Sequence, residues 1–313
     1  MNSPLFDVVA SLFPPYLAPT IDKYLRADIG CTISEQAAPL AEARFVSIEG
    51  KVLVYGAVEG GLLISDVKEA HTPLAMLDSR ANQDLRHHVE LVPLSLSRFL
   101  VIGPAWAAFY DLQTGVNQLV KFRTSTALHA CRLDASTFVL SDRDLQMFTY
   151  TDGGISPSRR WPLKMNQVAV DSLIGAHSCF LAVRGNVVEA YDPYGAPGIR
   201  SITLAFRPQS VVAGRSSVLV ANDQTVFVYN YSLMPLCTIQ AHQPMTAIGE
   251  LADGCVAIAF ANALGVWKAG QLHHTYNLAF TPSWMAVPDR ELVCAQGNRL
   301  YTFVKDTLIK AAV

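Results

Sequence analysis

The sequence predicts an all-β chain, a seven-bladed β-propeller carrying a short helical N-terminal extension. Three observations lead there. An aromatic or small residue just ahead of an Asp-like residue recurs at Ser65, Tyr110, Tyr150, Tyr191, Tyr229, Trp267 and Phe303, in steps of 45, 40, 41, 38, 38 and 36 residues. A period near 40 matches a four-stranded blade, and the 3.6-residue apolar rhythm of helical repeats is absent. Within each copy, short β-rich runs alternate with turn residues, and the second run is almost wholly apolar, as in a strand buried on both faces. The chain of 313 residues is 51% apolar and 16% charged, enough to bury a large core without disulfides or metal.

Residues 1–43 do not fit the repeat. "PLFDVVASLF" and "PTIDKYLRADI" read as two short helices, the first ended by Pro14-Pro15 and the second opened by Pro19. Ile21, Tyr24, Leu25 and Ile29 make a helical apolar stripe, expected to cap the rim or the seam of the ring. The propeller is expected to occupy 44–313. Its second runs are "VLVYGA" (52–57), "RFLVIG" (98–103), "TFVLSD" (137–142), "CFLAVR" (179–184), "SVLVAN" (217–222), "CVAIAF" (255–260) and "ELVCAQ" (291–296). Copy six displays the whole pattern: "MTAIGEL" (245–251), the turn "ADG", "CVAIAF", the turn "ANA", "LGVWK" (264–268), then "LHHTYNLAF". A ring must also close, because an open one leaves sheet edges unpaired. Two segments fit that role: "TLIKAAV" (307–313), and "CTISEQ" (31–36) laid beside the last blade. The expectation is a mixture in which the N-terminal segment packs across the seam.

Copy six resembles a WD-repeat. Ala241-His242 stands where that family has Gly-His, Asp253-Gly254 at its first hairpin turn, and Trp267-Lys268 where it has Trp-Asp; copy two keeps "YD..TG" and copy four "YD". The resemblance spans about 44–313 and implies a divergent WD-repeat-like propeller. It also implies a hydrogen-bonded network joining His242 and Trp267, with Asn262 nearest to the missing turn Asp. A second resemblance lies in "FPPYLAPTIDKYLRADI" (13–29), which is similar to the opening of an F-box through Phe13, Pro14, Leu17, Ile21 and Leu25. It implies docking through Leu17, Ile21 and Leu25 to the adaptor of a cullin-type ubiquitin ligase, with the propeller as substrate receptor.

Chemistry is sparse. Lys+Arg 24 against Asp+Glu 26 gives a net charge of −2, so neither nucleic acid nor a membrane surface is an expected direct partner. The six Cys show no C-x-x-C spacing, which predicts a reduced, intracellular chain. The N-terminus lacks a basic start, and the longest apolar run, 92–110, is broken by Arg98, Gly103 and Pro104, so neither a signal peptide nor a membrane span is expected. Phosphate-binding and hydrolase motifs are missing. The neighbours His87-His88 and His273-His274 point to opposite strand faces and cannot clamp one metal. His129-Cys131 and His177-Cys179 lie at different distances from their repeat marks and are not equivalent. Inner-strand candidates are mostly apolar, which argues against a converging catalytic centre. No cofactor, metal or catalytic residue is expected. The function expected is a protein-protein scaffold, a subunit of a multi-protein complex; a propeller enzyme is the remaining alternative. Two segments are the candidate partner contacts. One is "SPSRRWPLK" (156–164), with Arg159, Arg160, Trp161 and Lys164; its alternative is an exposed outer strand with Trp161 packed on the blade below. The other is the longest insertion, "DSRANQDLRHH" (78–88), with Arg86, His87 and His88.

Overall fold

The computed structural model describes residues 33–37, 40, 43–58, 61–67, 73–78, 90–103, 106–121, 128–142, 144–151, 154–162, 169–176, 178–195, 199–251, 254–288 and 291–304. They form seven four-stranded antiparallel sheets, with the strands of the first six in simple chain order. Each sheet is a blade. The innermost strands touch their neighbours around a closed circuit, blade one meeting blade two and so on until blade seven meets blade one.

All seven second strands are buried. Arg98–Gly103, Thr137–Ser141, Phe180–Arg184, Val218–Ala221 and Cys255–Ala259 have at most one residue short of full burial. This follows from blades packing face to face, which leaves the second strand no exposed side. The core divides accordingly into seven apolar clusters, one in each seam between adjacent blades. Outer strands reverse the pattern: Ile199–Thr203 and Pro235–Gln240 are mostly exposed.

The ring closes with the N-terminal candidate. Ile33–Ala37 pairs antiparallel with Arg299–Val304, in register from Ile33↔Phe303 to Ala37↔Arg299, and supplies the fourth strand of blade seven. Strand 33–37 therefore belongs to the ring although it precedes the first repeat. Beside it, Val52, Val54 and Val67 of blade one meet Val293, Ala295 and Leu300 of blade seven. The helical segments expected before residue 33 and the run 307–313 lie outside the described residues. Among the described residues no helix is long and apolar enough to cross a membrane.

The recurring Asp has a structural explanation. It ends the third strand of a blade and closes the turn into the fourth. Asp111 Oδ1 accepts the N–H groups of Gln113 (2.9 Å) and Thr114 (3.3 Å). Asp192 Oδ1 accepts those of Tyr194 (2.9 Å) and Gly195 (2.6 Å), and Asn230 Oδ1 those of Ser232 (2.9 Å) and Met234 (3.0 Å). A short carboxylate or amide at this place supplies the acceptor the turn needs. Asn230 also opens the glycosylation sequon Asn230-Tyr231-Ser232, and its side chain is thus engaged in the fold.

Candidate interaction site

Three regions of the disc carry polar chemistry or exposed apolar surface: the hub, the seam between blades three and four, and the rim of blades four and five.

At the hub the innermost strands carry charges that the expectation of apolar inner strands missed. Arg44 on Arg44–Ile48, Glu90 on Glu90–Pro93, His129 and Arg132 on His129–Arg132, and Glu250 on Ala247–Glu250 all belong to channel strands. The apolar runs noted in the sequence are the second strands, one layer further out. A cavity of about 870 Å³ opens along the channel, lined by Ile48, Leu91, Cys131, Arg132, Ile174 and Arg215 among others. Water reaches the Glu90 carboxyl, yet the surrounding blades hold back bulk solvent; this burial raises it to about 7, against the opposing pull of Arg44. His129 is lowered by burial, with Asp171 opposing.

The other hub charges have internal duties. Arg132 Nη2 lies 3.4 Å from Glu49 Oε1, joining blade three to blade one. Glu250 is buried and accepts the Ser216 N–H (3.0 Å), the Ser216 hydroxyl (2.5 Å) and the Ser217 N–H (3.3 Å), which pins the first turn of blade five to blade six. Gly214 sits against this carboxylate, and any Cβ there would collide with Glu250 Oε2. Gly175 has a comparable reason to lack a side chain: a Cβ would strike the backbone carbonyl oxygen of Arg132 on the neighbouring innermost strand. Among the described residues no group of three His, Cys, Asp or Glu is placed to hold a metal ion.

In the seam between blades three and four the sequence's basic-aromatic segment is located on Gly154–Trp161, the outer strand of blade three. Trp161 is buried, its ring edge-on to Phe180 (5.1 Å) and Tyr191 (6.1 Å) of blade four. Arg159 stacks over Trp161 at 5.1 Å and donates to the carbonyls of Pro193 (2.9 Å) and Gly195 (3.0 Å). These two side chains link one blade to the next. Arg160 points outward, 68% exposed, and pairs with Asp144 of its own blade. Lys164, the insertion residues Arg86, His87 and His88, and the N-terminal Leu17, Ile21 and Leu25 lie outside the described residues.

Beneath Trp161 is a polar cluster that the sequence did not announce. Arg184 Nε is 3.2 Å from Glu189 Oε2, Arg184 Nη2 donates to the Tyr191 hydroxyl (3.2 Å), and that hydroxyl donates to Glu189 Oε2 (2.9 Å). All three residues are buried. Burial, reinforced by the Glu189 carboxylate and opposed by Arg184, pushes the Tyr191 phenol upward. The three share a face because Phe180↔Tyr191, Ala182↔Glu189 and Arg184↔Val187 are cross-strand pairs at alternate positions.

At the rim the exposed large apolar side chains gather. Among the described residues they are Leu74, Met76, Leu112, Leu119, Tyr194, Ile199, Met234, Leu236 and Leu272. Each lies on an outer strand or on the turn leading into one. The most exposed lie on blades four and five: Tyr194 (67% exposed), whose hydroxyl donates to Asp134 of blade three (2.7 Å), and Ile199 (54%) on blade four, Met234 (60%) and Leu236 (58%) on blade five. Arg200 of blade four bonds to Ser232 of blade five, and a cavity of about 420 Å³ opens beside Tyr191, Ile199, Arg200 and Tyr231. The signal available in sequence was weak: isolated apolar residues in outer runs are common.

The seven-sheet ring with its repeated turns defines the class, a divergent WD-repeat-like β-propeller. Solved structures agree at the level of fold. The chain is similar to the Cps50 (Swd1) β-propeller domain of Myceliophteria thermophila, at 14% identity and TM-score 0.63, over 87% of this chain and 99% of that one. It is similar to U3-55K (12% identity, TM-score 0.65, 87% and 98%) and to the WD40 repeats of RRP9 (12%, 0.61, 87% and 99%). No family model and no curated protein matches the sequence. The family's internal network is not retained: Trp267 is buried, but His242 is exposed, with no hydrogen bond between them among the described residues.

Proposed function

We propose that the protein is a non-catalytic platform on which other proteins assemble, a subunit of a multi-protein complex. The observation that carries this reading is the apolar rim. Every exposed large apolar side chain among the described residues sits on the perimeter, on outer strands or the turns entering them. Exposed apolar side chains gathered on one perimeter suit an interaction surface, and aromatic residues and Met are enriched at interfaces. The hub supports the same reading. Its Glu250 and Arg132 are bound to neighbouring blades, where a catalytic centre requires groups converging on a shared point.

The test is affinity purification of the tagged chain from its own cells, followed by sizing and mass spectrometry. The expected result is a stoichiometric assembly that co-migrates with the chain. A chain that elutes alone at its own mass under low-salt conditions refutes the proposal. The F-box resemblance is tested in the same experiment: a cullin-ligase adaptor recovered with the wild type and lost with Leu17→Asp would assign the platform to substrate recruitment.

A further inference from the structure

Blades diverge from the axis, so a side chain from an outer strand is needed to fill the outer part of each seam. Six seams have one: Leu77 between blades one and two, Ile155 between two and three, Trp161 between three and four, Ile202 between four and five, Ile239 between five and six, and Tyr276 between six and seven. The closing seam, between blades seven and one, has none among the described side chains. Its apolar cluster draws only on the three inner strands of each blade and the connections beside them. On the blade-seven side, the outer strand carries Ser34 and Gln36 at the positions that pair with Thr302 and Leu300. On the blade-one side, the outer strand Pro73–Asp78 carries Met76. Leu63 packs against the closing-seam cluster, and Leu63↔Met76 is a cross-strand pair, so Met76 shares its face. Met76 is 55% exposed. The other face of blade seven is filled: Phe280 stacks on Tyr301 (3.5 Å) and lies beside Phe303 (6.5 Å).

The chain itself brings a cover to this seam. The strand that closes the ring begins at Ile33, and only Gly30, Cys31 and Thr32 separate it from Ile29. Ile29 therefore lies within about 14 Å of Ile33. At helical spacing Ile21, Tyr24, Leu25 and Ile29 fall on one face, with Asp22, Lys23 and Arg26 opposite; Asp28 falls on the apolar side only in the last turn. Gly30 stands where a helix end favours glycine, and three residues are an ordinary length for a connection from helix to strand. As a helix, residues 20–29 span about 15 Å, close to the roughly 17 Å of strand Ile33–Ala37. A helix this short is marginal in water and needs a surface for its apolar face.

We propose that residues 20–29 form a helix that turns back at Gly30, runs alongside Ile33–Ala37, and lays Ile21, Tyr24 and Leu25 over Met76 in the outer part of the seam between blades seven and one. The occupant of this face is the chain's own segment. Docked there, the helix locks the ring where it closes. It also withholds Ile21 and Leu25 from any partner, the adaptor implied by the F-box resemblance included. The inference is separate from the platform reading: one rim side chain, Met76, becomes internal, and the others stay available to partners.

Hydrogen-exchange mass spectrometry on the full-length chain reads the amides of residues 24–29, which bond inside such a helix. They are expected to exchange at least about tenfold more slowly than the same residues in a synthetic peptide of 16–32. Met76→Asp, at an exposed position, is expected to abolish most of that slowing and to leave the protection of the second strands unchanged. Ile21→Asp combined with Leu25→Asp is expected to do the same. Contact is read with a short bismaleimide: in a Cys31→Ser background, Tyr24→Cys is expected to cross-link with Met76→Cys and not with Leu272→Cys on the outer strand of blade six. Exchange at the peptide's rate, slowing that survives Met76→Asp, or a cross-link to Leu272→Cys in place of Met76→Cys overturns the proposal. Slowing that rises with protein concentration overturns it in favour of a second copy. Protection lost from 307–313 instead of 24–29 in Met76→Asp overturns it in favour of that run. Each of these failures leaves the platform reading standing on its own copurification test.

Discussion

Glu189→Ala is expected to be among the most damaging single substitutions in the protein. It strips the carboxylate from Arg184, which is 4% exposed, and from the Tyr191 hydroxyl it accepts at 2.9 Å. The guanidinium then stays charged in the seam between blades three and four, enclosed by side chains, and loses the Glu189 carboxylate. Breaking a buried pair from one side costs about 3–5 kcal/mol, because the remaining charge keeps its desolvation penalty and loses its compensation. An unfolding entropy of about 2.1 cal/mol/K per residue gives about 0.66 kcal/mol/K for a chain of this length. The thermal midpoint should therefore fall by about 5–8 °C. The triple variant Arg184→Met/Glu189→Leu/Tyr191→Phe removes all three polar groups together at similar volume. It should return to within about 1–2 °C of wild type or exceed it, since well-packed apolar replacements of buried ion pairs are often neutral or stabilising. Scanning calorimetry at fixed pH and ionic strength measures both. A shift under about 2 °C for Glu189→Ala, or a triple variant less stable than the single one, would refute the claim that charge burial governs this seam.

Three further outcomes follow from the hub and the turns. Asp111 is enclosed; burial opposes its ionisation, but the hydrogen bonds from Arg98 Nε (3.0 Å) and from the Gln113 and Thr114 N–H groups hold it below the usual carboxylate range. Its contribution is therefore present above the unfolded value near 3.9 and is lost as pH falls through the folded one. Asp111→Asn should cost about 1–2 kcal/mol in urea titrations at pH 6, and the gap to wild type should narrow progressively as pH falls below about 3.9. Glu90 behaves oppositely, because its folded value, about 7, lies above the unfolded one. Its ionisation costs stability as pH rises through that range, so Glu90→Gln should match wild type below about pH 4 and be the more stable protein above about pH 8. Gly175→Ala drives a methyl group into the Arg132 carbonyl and should destabilise by about 1–3 kcal/mol in the same titrations.

The repeat and the layering were legible because they depend on local pattern. Each mark from Ser65 to Phe303 falls on the third strand of its blade, and each apolar second run is a buried second strand. Ring closure was open in the sequence because "CTISEQ" and "TLIKAAV" have comparable strand character, and only the register of Ile33–Ala37 with Arg299–Val304 separates them. Hub charges escaped notice because channel strands are short and alternate in character, as in "HACR" and "AIGE". The packing alternative for Trp161 was legible, but the partners of Arg159 and Trp161 were not. Their actual partners, the Pro193 and Gly195 carbonyls and the rings of Phe180 and Tyr191, are more than thirty positions away for Arg159 and nearly twenty or more for Trp161. The Arg184–Glu189–Tyr191 cluster had one local clue: Arg and Glu flanking the turn Gly185-Asn186 at a spacing that places them on one face of a hairpin.

The same contrast explains how the chain keeps a propeller fold while matching solved propellers at only 12–14% identity. The signature residues of copy six do not form the family's network, since His242 is exposed. What recurs instead is the acceptor at the third-strand end, Asp111, Asp192 and Asn230, each closing its turn onto two backbone N–H groups. Asp66 occupies the corresponding place in blade one and bonds to Lys51 (2.6 Å), as Asp111 bonds to Arg98 in blade two. Turn closure and apolar second strands suffice to define a blade, and both tolerate wide substitution. Outer strands are under no such demand, because one side faces solvent. A bulge with a proline at Pro235 and a straight, β-branched edge at Ile199–Thr203 are equally compatible with the ring. The rim is therefore where blades of one chain can differ without cost to the fold, and a difference found there is the place to look for a partner.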